Sequence, residues 1–253
     1  MPDLHDPAEP RELALGVLGG MGPEATADFL SKLVAVTPVE REQDHLRVFV
    51  DSNPKVLDRH PAIRGEGPSP GPELADMARG LERIGSGFVV MACNTAHAFE
   101  ADIRAALTVP FVSMIAEAVD GCRVRFPEAR RFGLLAAQGC LDARLYQDGF
   151  AAVGLETVVP AREDQGALME LLWRIKRGEL SAEVATAMAA LGERLIAAGA
   201  DVVVAACTEV PLVVADAALS RPLFDPTLHL AQRCVRYARR LEPLPVQTTL
   251  PTR

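Results

Sequence analysis

Two cysteines stand where open α/β sheets place reactive groups. Phe88-Val89-Val90-Met91-Ala92 is a short apolar run that reads as a buried strand, and Cys93-Asn94-Thr95-Ala96-His97 follows it directly. Asp201-Val202-Val203-Val204-Ala205-Ala206 is a second such run, and it leads into Cys207-Thr208-Glu209. A free thiol titrates near a pKa of about 8.5, and strand-tip or helix-N-terminal surroundings lower it. Two thiols facing each other across a small ligand therefore suit inversion at a carbon with an acidic C–H bond. A thiolate takes the proton from one face, the partner thiol delivers one to the other face, and the roles exchange after each turnover. A carbanion forming between them needs its carboxylate held by hydrogen-bond donors. Asn94, Thr95 and Thr208 are suitably placed, and the backbone N–H groups of Asn94 and Thr95 suit an anion. Glu209 can orient the Cys207 side or bind N–H groups at the turn. His97 either assists Cys93 or packs within the helix. A buried cysteine is most often a small hydrophobe, which is how Cys122, Cys140 and Cys234 read, in or beside helical patterns without polar company.

Positioning two such thiols takes two similar frameworks, and the chain repeats itself. Leu15-Gly16-Val17-Leu18-Gly19-Gly20-Met21-Gly22 aligns with Phe132-Gly133-Leu134-Leu135-Ala136-Ala137-Gln138-Gly139. The run from Ile84 to Cys93 aligns with that from Ala198 to Cys207, and Val109-Pro110-Phe111-Val112 with Arg221-Pro222-Leu223-Phe224. Three blocks in one order at a nearly constant offset read as an internal duplication. The fold class is α/β: two similar halves, each a parallel sheet flanked by helices, which as two pseudo-symmetric, three-layer α/β domains facing each other would put the active site in the cleft between them. The pattern predicts strands over 13–20, 46–50, 109–112, 131–137 and 156–159, besides the two thiol-bearing runs. Helices are expected over 24–36, 72–84, 98–107, 114–124, 141–153, 165–177, 181–198 and 227–241. The stretch 51–71, rich in Pro, Gly and charge, reads as a long loop. Residues 1–12 and 242–253 read as flexible tails. The glycines around Gly19-Gly20-Met21-Gly22 lack the G-x-G-x-x-G spacing of a dinucleotide loop and fit a tight turn that lets Met21 line the cleft.

Composition narrows the partners. With 49% hydrophobic and 24% charged residues, 253 residues hold a sizeable core. A net charge of −8 disfavours nucleic acid and anionic membranes, although a few local cations can still hold an acidic small molecule. No apolar run reaches membrane-spanning length, and the acidic, proline-containing start lacks the order of a signal peptide. Five widely spaced cysteines without a C-x-x-C pair argue against a disulfide framework or a zinc knuckle and for a reducing, cytoplasmic setting. There is no metal-ligand cluster with usable spacing. Lysines are three, Lys32, Lys55 and Lys176, and none sits in an obvious cofactor-linking motif.

From about Leu13 to Leu241 the chain resembles the aspartate/glutamate racemase superfamily, and within it the aspartate racemase branch. The resemblance rests on Gly19-Gly20-Met21-Gly22-Pro23, on Asn53-Pro54 with Asp58-Arg59, on Cys93-Asn94-Thr95-Ala96-His97 and on Cys207-Thr208-Glu209. It implies cofactor-independent racemisation of aspartate, or of glutamate, by two cysteines that map onto Cys93 and Cys207. It also implies that Arg59 and Lys176 flank the cleft and meet the side-chain carboxylate of an acidic amino acid. Homodimers are common in the family, so a homodimer is implied here. The last helix usually returns to the first domain, which gives domains of 13–113 plus 226–241 and of 114–225. Ala206 stands where many relatives have glycine, and Ser52 where asparagine is often found; both bear on substrate preference. Two other classes of function fit the same cleft. One is a non-catalytic binding protein for an acidic metabolite. The other is an isomerase or decarboxylase of dicarboxylates that depends on a single thiol.

Overall fold

The computed structural model describes residues 12–215 and 218–245. The leader expected over 1–12, apart from Glu12, and the tail from 246 onward lie outside the described residues.

The chain runs β1 (Leu15–Gly19), α1 (Pro23–Val36), β2 (Val48–Ser52), α2 (Arg59–Ile63), α3 (Gly71–Arg83), β3 (Phe88–Met91), α4 (Glu100–Ala106), β4 (Phe111–Val112) and α5 (Met114–Arg125). It then repeats the pattern: β5 (Arg131–Leu134), α6 (Gln138–Asp142), α7 (Leu145–Ala152), β6 (Glu156–Val158), α8 (Arg162–Lys176), α9 (Ala182–Ala197), β7 (Val202–Val204), β8 (Leu223–Phe224) and α10 (Pro226–Ala238). Two parallel four-stranded sheets result, ordered β2-β1-β3-β4 and β6-β5-β7-β8. The duplication extends to register. Leu15 pairs with Phe88 and Phe132 with Val202; Val89 pairs with Phe111 and Val203 with Leu223. These are the same partners that the sequence repeat aligns.

Both faces of each sheet are covered, which is why the strands read as unbroken apolar runs. In the first sheet Leu15, Val17, Phe88 and Val90 pack on Phe29 and Leu33 of α1 and on Leu230 and Cys234 of α10. Leu18, Val89 and Met91 pack the opposite face against Leu74 and Leu81 of α3 and Ile103 of α4. In the second sheet Val203 packs on α8 and α9, and Phe132, Leu134, Val202 and Val204 pack on α5 and α7. Strand alternation sorts neighbouring residues to opposite faces. Helix α5 packs on α10 as well, and the buried carboxylate of Glu117 ties the two: it accepts from Arg233 at 2.7 Å and from the Tyr237 hydroxyl at 2.7 Å.

Four expectations are corrected. The stretch 51–71 is not one loop: β2 runs on to Ser52, and α2 lies inside the stretch, capped by the Asp58 side chain, which accepts from the His60 N–H at 3.0 Å. Pro61 obscures this helix in the sequence, yet a proline in the first turn costs no hydrogen bond. The helix expected over 141–153 begins at Gln138 and breaks at Arg144, whose φ of 54° is left-handed, before α7 resumes. No glycine or proline marks that break. The helical run after Cys93 starts earlier than expected, as a 3-10 turn over Thr95–Phe99. The start of the C-terminal tail is anchored, since Glu242 pairs with Arg233 and Arg236.

Candidate active site

Parallel α/β sheets bind ligands outside the carboxyl ends of their strands, where the strand order reverses. That point lies between β1 and β3 in one sheet and between β5 and β7 in the other. The loops leaving these four strands converge on one cavity of about 240 Å³. Cys93 and Cys207, each 5% exposed, both line it. So do Met21, Asn94, Thr95, Thr208 and Glu209. Arg59 and Lys176 line it too, so every candidate site residue comes together. At the β1 turn, Gly20 holds a φ of 90°, and a Cβ there would lie 2.4 Å from the backbone N of Asn53. Only glycine allows that approach, which leaves the next residue, Met21, in the cavity wall.

The Cys207 side is a dense polar cluster. Its S–H donates to Glu209 Oε2 at 2.9 Å, the Thr208 hydroxyl donates to the same oxygen at 3.2 Å, and Lys176 pairs with Glu209 Oε1. Burial first, and then the Glu209 charge, push the Cys207 thiol well above its ordinary range, so it rests protonated. Burial works against the Lys176 ammonium, but Cys207 when ionised and Glu209 more than compensate, and its pKa is raised. Glu209 is only 3% exposed, and Lys176 supplies its counter-charge.

The Cys93 side is built differently. His97 is spent on the backbone: its Nδ1 faces the Cys93 carbonyl at 2.8 Å, and its Nε2 accepts from the Met114 N–H at 3.0 Å. The ring is a neutral tether between the thiol loop and α5, and burial lowers its pKa. The sign of the linkage follows. The unfolded chain takes up a proton near pH 6.5 that the fold refuses, so the His97 contribution is complete above pH 6.5 and is lost as pH falls toward the folded pKa. Thermal unfolding followed from pH 7 to pH 5 should show stability falling by up to about 1.4 kcal/mol per pH unit from this residue. His97→Asn should make that acid limb shallower.

Two buried donors on the cavity wall lack a partner among the described residues. Arg59 spends Nη1 on the carbonyls of Val56 and Leu57, at 3.4 and 3.2 Å, while its Nε is buried and unpaired. Asn94 accepts from the Tyr146 hydroxyl at 2.6 Å through Oδ1, while its Nδ2 is buried and unpaired. A buried donor left unpaired calls for a partner, and a ligand in the cavity can supply one. Sequence reasoning did not assign Asp58, His60, Ala137 or Trp173 to the cavity lining. The helical spacing of three residues to Lys176 could have found Trp173. Nothing local marks His60, whose Nδ1 accepts from the Gly139 N–H at 3.1 Å and so ties α2 to α6. Among the described residues no His/Cys/Asp/Glu group could hold a metal ion, and no helix is long and apolar enough to cross a membrane.

Two repeated parallel sheets that share one ligand-sized cavity define a two-sheet α/β protein with a candidate site at the switch points. More narrowly, the chain belongs to the Asp/Glu/hydantoin racemase family, which it matches over residues 18–234. It is 26% identical over 230 residues to the broad specificity amino-acid racemase RacX of Bacillus subtilis, a match spanning 87% of this chain and 96% of that one. The aspartate racemase of Picrophilus torridus superposes with a TM-score of 0.77 at 27% identity, covering 89% of this chain and 94% of that one. An aspartate racemase homologue from Pyrococcus horikoshii superposes at 0.72 and 25% identity, covering 89% and 98%.

Proposed function

We propose that the protein interconverts L- and D-aspartate, with glutamate as a possible second substrate, by proton transfer at Cα between Cys93 and Cys207 and without a cofactor. The observation that carries this reading is the shared cavity: a thiol enters it from each repeated half, beside two donors that suit carboxylates. Asn94 Nδ2 would take the α-carboxylate and Arg59 the side-chain carboxylate. Thr95 and Met21 shape the wall around the α-carbon.

In one direction of the reaction Cys93 is the base and Cys207 the acid. The Cys93 thiolate takes the α-proton of one enantiomer, and Cys207 delivers its own proton to the opposite face. The cycle leaves Cys93 as thiol and Cys207 as thiolate, next to the Lys176 ammonium that offsets the new charge. The other enantiomer runs the same steps backwards and restores the start. A lysine paired as an ammonium with a buried carboxylate is a poor nucleophile, which supports a cofactor-independent route over a Schiff base.

We place the protein in the cytoplasm and take it as a homodimer; five unpaired, buried cysteines support the first. The packing of α10 on α1 supports a first domain of 13–113 plus 226–241 beside a second of 114–225. The function is tested by incubating purified protein with L-aspartate in heavy water. The α-hydrogen should exchange and the optical rotation decay to zero, without added pyridoxal phosphate. Absence of exchange with either acidic amino acid counts against the reading.

A further inference from the structure

Asn94 serves a carboxylate only in one of its two amide orientations. Turned one way, the side chain offers N–H donors to the cavity; turned the other, it offers a carbonyl oxygen that repels an anion. Tyr146 reaches it from α7, in the opposite half of the molecule, 52 residues along the chain. The tyrosine is fully buried, and its ring lies 6.3 Å from that of Phe150 in the second core. Its hydroxyl meets Asn94 Oδ1 at 2.6 Å. A buried phenol keeps its proton and must place it on a neighbour. Here that neighbour is Oδ1, so Nδ2 is the atom left over, buried and unpaired on a residue that lines the cavity.

We infer that Tyr146 is a positioning residue: it fixes the Asn94 amide with its N–H groups available to the substrate carboxylate, and so lets one half of the molecule set a binding group of the other. The inference deepens the racemase reading and rests on it for the identity of the ligand. It makes the contribution of Asn94 conditional on Tyr146, which a structural tie alone does not.

The test is a double-mutant cycle on the full chain, read in two ways. Tyr146→Phe keeps the ring and removes the donor. It should lower kcat/KM for aspartate by about ten- to a hundredfold, the usual scale for a hydrogen bond to a charged group. In an Asn94→Ala background the same change should cost less than about twofold. The second readout is binding of succinate, followed by the fluorescence of Trp173, the single tryptophan, which lines the cavity. Tyr146→Phe should weaken it in the parent and leave it unchanged in Asn94→Ala. Asn94→Asp, which keeps an acceptor for Tyr146 but removes the donor, should lose at least as much as Asn94→Ala, and it stands in should Tyr146→Phe fold poorly. Additive losses, an unaffected Tyr146→Phe enzyme, or an active Asn94→Asp enzyme overturns the inference. Tyr146-dependent succinate binding without racemisation would keep the positioning role and remove the racemase reading instead.

Discussion

Cys93→Ala and Cys207→Ala are each expected to reduce racemisation of both aspartate enantiomers by about a thousandfold or more. A positioned proton-transfer group contributes on the order of 10²–10⁴ in rate. Inversion needs both thiols in either direction, because the proton leaves by one face and returns by the other. The two variants should nevertheless differ in what survives. A protein that keeps only Cys93 can still exchange the α-hydrogen of the enantiomer presenting that hydrogen to Cys93, with retention of configuration. A protein that keeps only Cys207 can do so only for the mirror image. Deuterium incorporation resolved by chiral chromatography distinguishes these outcomes from general collapse. A single-cysteine variant that racemises at close to the parental rate removes the two-thiol mechanism. A dependence on one cysteine alone points to the dicarboxylate isomerase or decarboxylase alternative.

The second large effect concerns the cluster behind Cys207. Lys176→Met leaves the Glu209 carboxylate almost wholly buried, with the Cys207 and Thr208 donors but without its counter-charge. Breaking a buried pair by removing one partner costs about 3 kcal/mol or more. For a chain of this size that corresponds to a fall of roughly 6–12 °C in Tm. The double variant Lys176→Met/Glu209→Gln should recover most of the loss, because it no longer buries an unpaired charge. Its activity should stay low, since a Cys207 thiolate formed during turnover would lack its cation. Calorimetry of the two variants decides the first point, and exchange kinetics the second. A double variant no more stable than Lys176→Met would show that the pair is not what holds this wall together.

The outcome for Glu209 shows what kind of information a linear chain carries. Its position one residue past Thr208 is plain in the sequence, as is its choice of orienting Cys207 or binding backbone. The structure gives its carboxylate the local Cys207 and Thr208 donors, and the counter-charge that the sequence does not show comes from Lys176, 33 residues away on α8. The same holds for His97. Its spacing to Cys93 is legible, but the acceptor role of Nε2 that turns it into a tether needs the Met114 amide, brought near by the packing of the β4–α5 turn. The break at Arg144 had no local signature either, and it precedes the helix that carries Tyr146 inward.

The sequence by itself determined the duplication, the two parallel sheets and the place of each thiol. These follow from short-range rules: apolar runs bury as strands, small and polar residues end them, and equivalent blocks fold equivalently. The nine candidate residues were legible for the same reason, since most flank a strand end and the family resemblance supplied Arg59 and Lys176. Only the tertiary structure decided which partner each side chain meets across the cleft. That choice gave Glu209 its counter-charge, His97 its second partner and Asn94 its oriented amide. It depends on contacts between segments far apart in the chain, whose geometry is fixed by the packing of whole helices and not by any residue's neighbours in sequence.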